Sequence, residues 1–462
     1  MKQTRIILAA VMMVPLVSPA MADDAAVQAI RQDIARMRQE YEARIQKLER
    51  RLTQAEAASN RATSAADKAK KIAEAASSQA ATAADQAKQS AEATTGQPTA
   101  RPAESNNAFN PAIGVVLDGT AAVLRRDPGA YQIPGFAPGP DARPVARGFA
   151  LGESELNLSA NIDQALYGNL TVSYARDNTF SVEEAYIQSS QLPGGFTLKG
   201  GRFFSSIGYL NEQHAHTWDF VDAPLPYLAM LNRQYGDDGA QVRWLAPTRM
   251  FIELGAEGFR GDAYPANGAA NKGFGSYSAF VHIGDDIGEG GEGGSWRIGV
   301  SELWTRAAGL PSGADKFSGD DRLTIVDGVY KWAPGGNFAD RYIKLQGEYF
   351  YRAEKGRFND LADSTQQQGF YAQAVWQFMP QWRVGARYDR IWASTPNAAL
   401  AFSTLDPGGH VSARESLMID YSTSEFGRFR LQGNLDHSTR KYDPQLILQY
   451  TVSLGAHGAH AY

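Results

Sequence analysis

From Phe109 to Tyr462 the chain alternates apolar and polar residues with period two, and this pattern constrains its fold more than any other feature. Stretches such as Tyr342-Ile343-Lys344-Leu345-Gln346-Gly347-Glu348-Tyr349 and Phe370-Tyr371-Ala372-Gln373-Ala374-Val375-Trp376-Gln377-Phe378 set apolar or aromatic side chains on one face and polar ones on the other. Successive side chains of a strand point to opposite faces, so one face suits lipid and the other water. Sixteen strands are expected, beginning near Ile113, Phe149, Ala165, Val182, Phe196, Ala240, Met250, Gly275, Trp296, Leu323, Tyr342, Phe370, Trp382, Ser416, Phe429 and Leu446. The fold class this implies is an all-β transmembrane barrel of antiparallel strands, residues 109–462, with both ends on one side.

Loop lengths support the count, because bacterial barrels have short periplasmic turns and long outer loops. Leu192-Pro193-Gly194, Ala246-Pro247-Thr248 and Met379-Pro380-Gln381 mark short turns after even strands. The long connections follow odd strands: Leu124 to Gly148, Ser205 to Asp238, Phe259 to Lys272, Arg306 to Asp321, Arg352 to Gln367 and Trp392 to Ala413. Asp177 to Phe180 and the Gly-rich Gly284 to Gly294 are the exceptions. The terminal Tyr462 closes an alternating strand, which is the signal read by the barrel-assembly machinery. A soluble β-sandwich also alternates, but rarely with this aromatic density, a leader sequence and an aromatic C-terminus.

The first 105 residues read differently. Residues 1–22 carry a charged start (Lys2, Arg5), an apolar run from Ile6 to Val17 and the exit Ala20-Met21-Ala22, the pattern of a cleaved secretory signal. That run is too short to cross a bilayer as a helix. In residues 23–95 apolar or small side chains recur in steps of three and four, through Val27, Ile30, Ile34, Met37, Tyr41, Ile45, Leu48 and Leu52 and then an alanine seam. An α-helical coiled coil about 100 Å long is expected in the periplasm, with a disordered Ala/Ser/Thr linker as the alternative for its second half. A linker at 96–108, with Pro98 and Pro102, would end it. A coil implies a homo-oligomer, with a trimer preferred by analogy with porins, and peptidoglycan is a candidate partner beside outer-membrane lipid and lipopolysaccharide. The net charge of −5 excludes a nucleic-acid partner, and the absence of cysteine excludes disulfides and thiolate metal sites.

The combination of leader, coil and barrel resembles the phosphate-selective porin O and P superfamily and, within it, the DcaP-like trimeric porins with an N-terminal coiled coil. Gly148-Phe149-Ala150-Leu151-Gly152-Glu153-Ser154-Glu155-Leu156, Gly201-Arg202-Phe203-Phe204, Leu210-Asn211-Glu212-Gln213-His214 and Leu454-Gly455-Ala456-His457-Gly458-Ala459-His460 also look like proteobacterial outer-membrane proteins described as porins or as zinc-linked TonB-dependent receptors. The resemblance implies a Gram-negative outer-membrane protein. A TonB-dependent receptor needs a plug domain and usually 22 strands, and about 350 residues of barrel leave room for neither. The lysine-rich ladder of phosphate-specific porins is not visible.

Candidate pore residues follow from charge and parity. The connection Ser205 to Asp238 sits where general porins fold a loop into the lumen. It carries Glu212, His214, His216, Asp219 and Asp222, with aromatic residues suited to packing. Basic residues Lys199, Arg202, Arg243, Arg297, Arg383, Arg387, Arg428 and Arg430 stand on the strands; Arg383 and Arg387 share a parity, as do Arg428 and Arg430. A charge facing lipid at mid-depth costs about 2–4 kcal/mol, so each pair belongs to the lumen, as do Glu153, Glu155, Glu184 and Glu348. Either this basic wall faces the acidic loop across a gap, giving a transverse field for small hydrophilic or anionic solutes, or the charges pair and only stabilise the barrel. His214 and His216 are weak metal candidates, for no third ligand has a firm spacing. No catalytic motif such as GxSxG and no cofactor signature is present. A passive porin is the leading expectation; a metal or metal-chelate receptor and a structural tether acting through the coil are the alternatives.

Overall fold

The computed structural model describes residues 111–455, apart from 177, 268–271, 289–292 and 313–314. The leader, the coil, the linker, Tyr462, His457 and His460 lie outside the described residues. Among the described residues no helix is long and apolar enough to cross a membrane; the crossing is made by strands.

Seventeen strands form one antiparallel sheet closed by pairing of its first and last members. In chain order they are β1 (Ala112–Leu124), β2 (Gly148–Leu151), β3 (Ser154–Asn161), β4 (Leu166–Tyr174), β5 (Phe180–Ser189), β6 (Phe196–Phe204), β7 (Gly236–Leu245), β8 (Phe251–Phe259), β9 (Ser276–Asp286), β10 (Ser295–Ser312), β11 (Asp315–Trp332), β12 (Tyr342–Phe358), β13 (Leu361–Met379), β14 (Trp382–Ala393), β15 (Ser412–Ser424), β16 (Gly427–His437) and β17 (Asp443–Gly455). Both β2 and β3 pair with β1 and are two halves of one wall strand, so the barrel has sixteen. The break falls at Gly152, where a Cβ would stand 2.4 Å from an Asp118 carboxylate oxygen.

Each of the sixteen expected strands corresponds to one wall strand. The correction is in height. Arg306 to Asp321 and Arg352 to Gln367, expected as long loops, are the upper parts of two tall hairpins: β10–β11 pairs as far as Ser312 with Asp315, and β12–β13 as far as Phe358 with Leu361. Beyond the membrane the outer face of each hairpin meets water while the inner face stays buried, with Ala307, Phe317 and Phe358 packing on Leu400 and Leu405, so hydrogen bonding continues where the apolar-out alternation stops.

β17 shows how sequence becomes wall. Leu446, Leu448, Tyr450 and Leu454 are exposed on the outside, while Gln445, Ile447, Gln449 and Thr451 are buried inside. Facing ring pairs sit near the two ends of the strands, with Phe196–Trp244, Trp382–Tyr421 and Phe429–Tyr450 at the short-turn end and Tyr174–Phe180, Phe274–Tyr277 and Phe370–Trp392 at the other. Aromatic girdles of this kind mark the two membrane interfaces of an outer-membrane barrel.

Candidate functional site

The long connection L3, residues 205–235, folds into the barrel because its composition cannot remain in water. Ile207, Tyr209, Leu210, Trp218 and Phe220 are buried, as is every residue of its short helix α1 (Leu225–Leu231). The helix begins beside Pro224 and ends at Asn232, whose left-handed backbone (φ 52°) turns the chain back. Against it pack Ile133 and Phe136 of the first outer loop, L1 (residues 125–147), so an apolar core lies inside a barrel whose wall is polar. Each such side chain contributes about 1.5–3 kcal/mol on burial, which holds the loop inward.

Asn211 closes the base of L3. Its amide donates to the carbonyls of Ser205 (2.7 Å) and Tyr235 (2.8 Å), and its oxygen accepts from the Tyr235 N–H (2.8 Å). Asn211→Ala should strand the Ser205 carbonyl and the Tyr235 N–H at about 1–3 kcal/mol each, while the Tyr235 carbonyl keeps the Ser205 N–H (3.0 Å). The expected result is a lower unfolding midpoint in urea by tryptophan fluorescence, with the barrel still forming.

The acids of L3 sit directly on wall cations. Glu212 pairs with Arg243 (2.9 Å). Asp219 pairs with Lys344 (2.9 Å) and Arg383 (3.2 Å), and Asp222 with Arg387 (2.8 Å) and Arg414 (3.0 Å). Burial opposes the charged form of Asp222, but Arg414 and Arg387 outweigh it and hold the carboxyl down at about 2. Glu212 is likewise held at about 2, burial being overcome by Arg243, Arg297 and Lys199. Wall residues also grip the loop backbone. Arg297 donates to the Gly208 carbonyl (3.1 Å) and Arg428 to that of His216 (2.7 Å). Glu348 accepts from the N–H groups of Tyr209 (3.2 Å) and Leu210 (3.0 Å) and from the Tyr227 hydroxyl (2.9 Å). Gly208 (φ 67°) has no room for a Cβ, which would stand 2.3 Å from Glu348.

His214 enters a nest of glutamates. Its Nδ1 lies 3.3 Å from Glu155 and 3.2 Å from Glu183, and its Nε2 3.1 Å from Glu184. His216 Nδ1 meets the other oxygen of Glu155 at 2.8 Å. Burial pushes the His214 pKa down, but hydrogen bonds to Glu155, Glu183 and Glu184 prevail and raise it well above the ordinary value. Consecutive strand residues point to opposite faces, yet Glu183 and Glu184 both reach His214. The reason is a bulge: Thr171 pairs with Glu184 and Val172 with Val182, leaving Glu183 as the extra residue that turns inward.

Beside L3 a crevice of about 250 Å³ remains, bordered on the wall by Asp118, Glu153 and Arg414, on L3 by Asp222 and Arg233, and at its mouth by Arg143 and Arg176. Arg143 also borders an outer cavity of about 550 Å³ between L1 and the loop 394–411. Four arginines thus face three carboxylates in the crevice. Asp222 is held by Arg414, and Glu153 lies 3.6 Å from Arg233.

These contacts revise the sequence picture. There is no gap between a basic wall and an acidic loop at Arg383 and Arg387, because the loop acids dock on them; Arg430 pairs with Asp420 (2.8 Å) in the wall itself. Arg202 is not in the lumen. It shares the parity of the exposed Phe196 and Leu198 and forms a bidentate pair with Asp238 on the outside (2.7 and 3.1 Å). Lys199, of opposite parity, points inward over the Tyr186 and Phe203 rings (4.7 and 5.2 Å). Sequence reasoning missed Arg143 and Arg176, which stand in loops where no parity operates, and Glu183, which the bulge hides.

No family model matches the chain. An uncharacterized protein of Aquifex aeolicus (strain VF5) is 32% identical over 345 residues, 68% of this chain and 70% of that protein. Among solved structures, the outer-membrane channel DcaP of Acinetobacter baumannii aligns with a TM-score of 0.46 at 12% identity, over 75% of this chain and 96% of that one. An anion-selective porin from Comamonas acidovorans aligns with a TM-score of 0.47 at 10% identity, over 75% and 99%. Outer-membrane expressed OmpT of Vibrio cholerae gives 0.47 at 10% identity, over 74% and 97%.

Proposed function

This chain belongs to the same family as the Aquifex aeolicus protein, and we propose that it is an outer-membrane porin giving passive passage to small hydrophilic, preferentially anionic solutes past an inward-folded L3. The observation that carries this reading is the crevice beside L3, with Arg143 and Arg176 at its mouth and continuing the outer cavity at Arg143. The crevice and the outer cavity share Arg143, which supports a polar route along the inside of the sixteen-stranded barrel, down which solutes would diffuse. With Asp222 and Glu153 set against Arg414 and Arg233, and Asp118 hydrogen-bonded to Gln449 and Thr451 in the wall, Arg143 and Arg176 leave the crevice one positive charge in excess to attract anions.

The test is conductance of the purified protein in a planar bilayer, with reversal potential under a salt gradient. Discrete channels with a preference for chloride over potassium are expected, and Arg143→Glu with Arg176→Glu should move the reversal potential to the cation-selective side. Protein that inserts but never conducts would remove the reading. A preference unchanged in the double variant would remove its anionic part.

A further inference from the structure

We propose that His214 Nδ1 together with carboxylate oxygens of Glu155 and Glu183 forms a binding site for a divalent transition-metal ion of the zinc class. The ring nitrogen and the two oxygens all lie within 4.8 Å of one another, and Nδ1 is 3.3 and 3.2 Å from the two carboxylates. A zinc ion with bonds of about 2.0–2.1 Å places tetrahedral ligands about 3.3 Å apart, which the two nitrogen–oxygen distances already match.

The surroundings supply a second, independent observation. Metal-bound imidazoles donate their other ring N–H to a carboxylate, and ligating carboxylates are themselves hydrogen-bonded. Here Nε2 of His214 faces Glu184 at 3.1 Å, and the free oxygen of Glu155 is held by His216 at 2.8 Å. The bulge that brings Glu183 inward sets its carboxylate on His214 rather than on an arginine. Negative charge is in excess: Glu153, Glu155, Glu183 and Glu184 gather around two imidazoles, with Arg233 reaching only Glu153. Three protein ligands leave a fourth position open, as in exchangeable rather than closed structural zinc sites. Imidazole among the ligands favours zinc over magnesium or calcium. His216 and Glu153 border the crevice, so an ion reaches the site from the water of the lumen, and the site's chemistry does not depend on whether the barrel conducts.

Titration of zinc chloride into the metal-stripped, full-length protein in detergent, followed by calorimetry, tests this. One saturable equivalent is expected, with no saturable magnesium binding, and an absorption-edge spectrum showing nitrogen and oxygen neighbours. Glu184→Gln should weaken binding about 10- to 100-fold, and His214→Ala and Glu183→Gln should weaken it further. His457→Ala with His460→Ala should leave it unchanged, which separates the site from the terminal histidines. Because His214→Ala also loosens L3, heat-modifiable migration confirms folding of each variant, and Glu183→Gln, which keeps a hydrogen-bonding side chain, serves as the second variant. Absence of saturable zinc binding in the wild type, or equal affinity in His214→Ala and Glu183→Gln, would overturn the proposal.

Discussion

Replacing residues 207–234 by a short Gly-Ser turn should raise single-channel conductance several-fold while the barrel still assembles. Phe204 and Gly236 are paired across β6 and β7, so a short turn can join the strands at the point where L3 leaves them. The excision removes α1 and the aromatic residues that fill the lumen between L1 and strands β12–β14. Lys344, Arg383, Arg387 and Arg414 would lose the acids that L3 lays on them, but their new environment is water rather than protein. Hydration replaces the ion pairs, and the cost of an uncompensated buried charge does not arise. Selectivity should shift less than conductance, because Asp389 and Asp420 still pair Arg387, Arg414 and Arg383, and the excision uncovers Glu155, Glu183, Glu184 and Glu348 along with Lys344. An unchanged conductance in planar bilayers would mean that the solute path does not pass L3 and would redirect attention to L1.

How much of this was legible in the sequence depended on whether a local rule operated. The wall strands were legible because lipid on one side and water on the other enforce alternation residue by residue, as in Leu446 to Leu454. The tops of β10–β13 were not, because their outer faces meet water rather than lipid: Lys316, Ser318 and Asp320, or Ser364 and Gln366, face outward, while Phe317, Thr365 and Gln367 are buried on the inner side, so the apolar-out pattern is lost. That L3 would pack inward could be read from Trp218, Phe220 and the Leu225–Leu231 run. Its partners could not, since the residue that receives Asp222 through an amide, Gln432, lies 210 positions away. Arg202 shows parity ignored: three residues from Lys199, it had to face the other way. Glu183 shows the reverse, a place where parity itself fails because one extra residue was inserted into β5. The metal-like nest around His214 therefore looked incomplete in the sequence, with its third ligand concealed by a bulge.

Two buried aspartates of similar appearance should respond oppositely to removal. Asp420 lies in the wall, fully buried, accepting a bidentate pair from Arg430 (2.8 and 3.1 Å) and a further bond from Arg383. Asp420→Ala leaves Arg430 with only a long contact to Gln449 (3.4 Å). The strand cannot move away to let water in, so the loss should approach the about 3–5 kcal/mol expected when one partner of a buried pair is removed. Urea unfolding in lipid vesicles should show it as a lower midpoint with unchanged slope. Asp222 belongs to L3, and its cations retain another acid, for Asp389 also holds Arg387 (3.0 Å) and Arg414 (2.8 Å). Asp222→Ala should therefore lower barrel stability little and act on the loop instead, giving larger and noisier conductance steps as L3 leaves the wall. The double change Asp420→Ala with Arg430→Met distinguishes charge from packing. If an unpaired cation is what destabilises the Asp420 variant, removing it should restore much of the loss; if lost wall packing is responsible, the double variant should be as unstable as the single one.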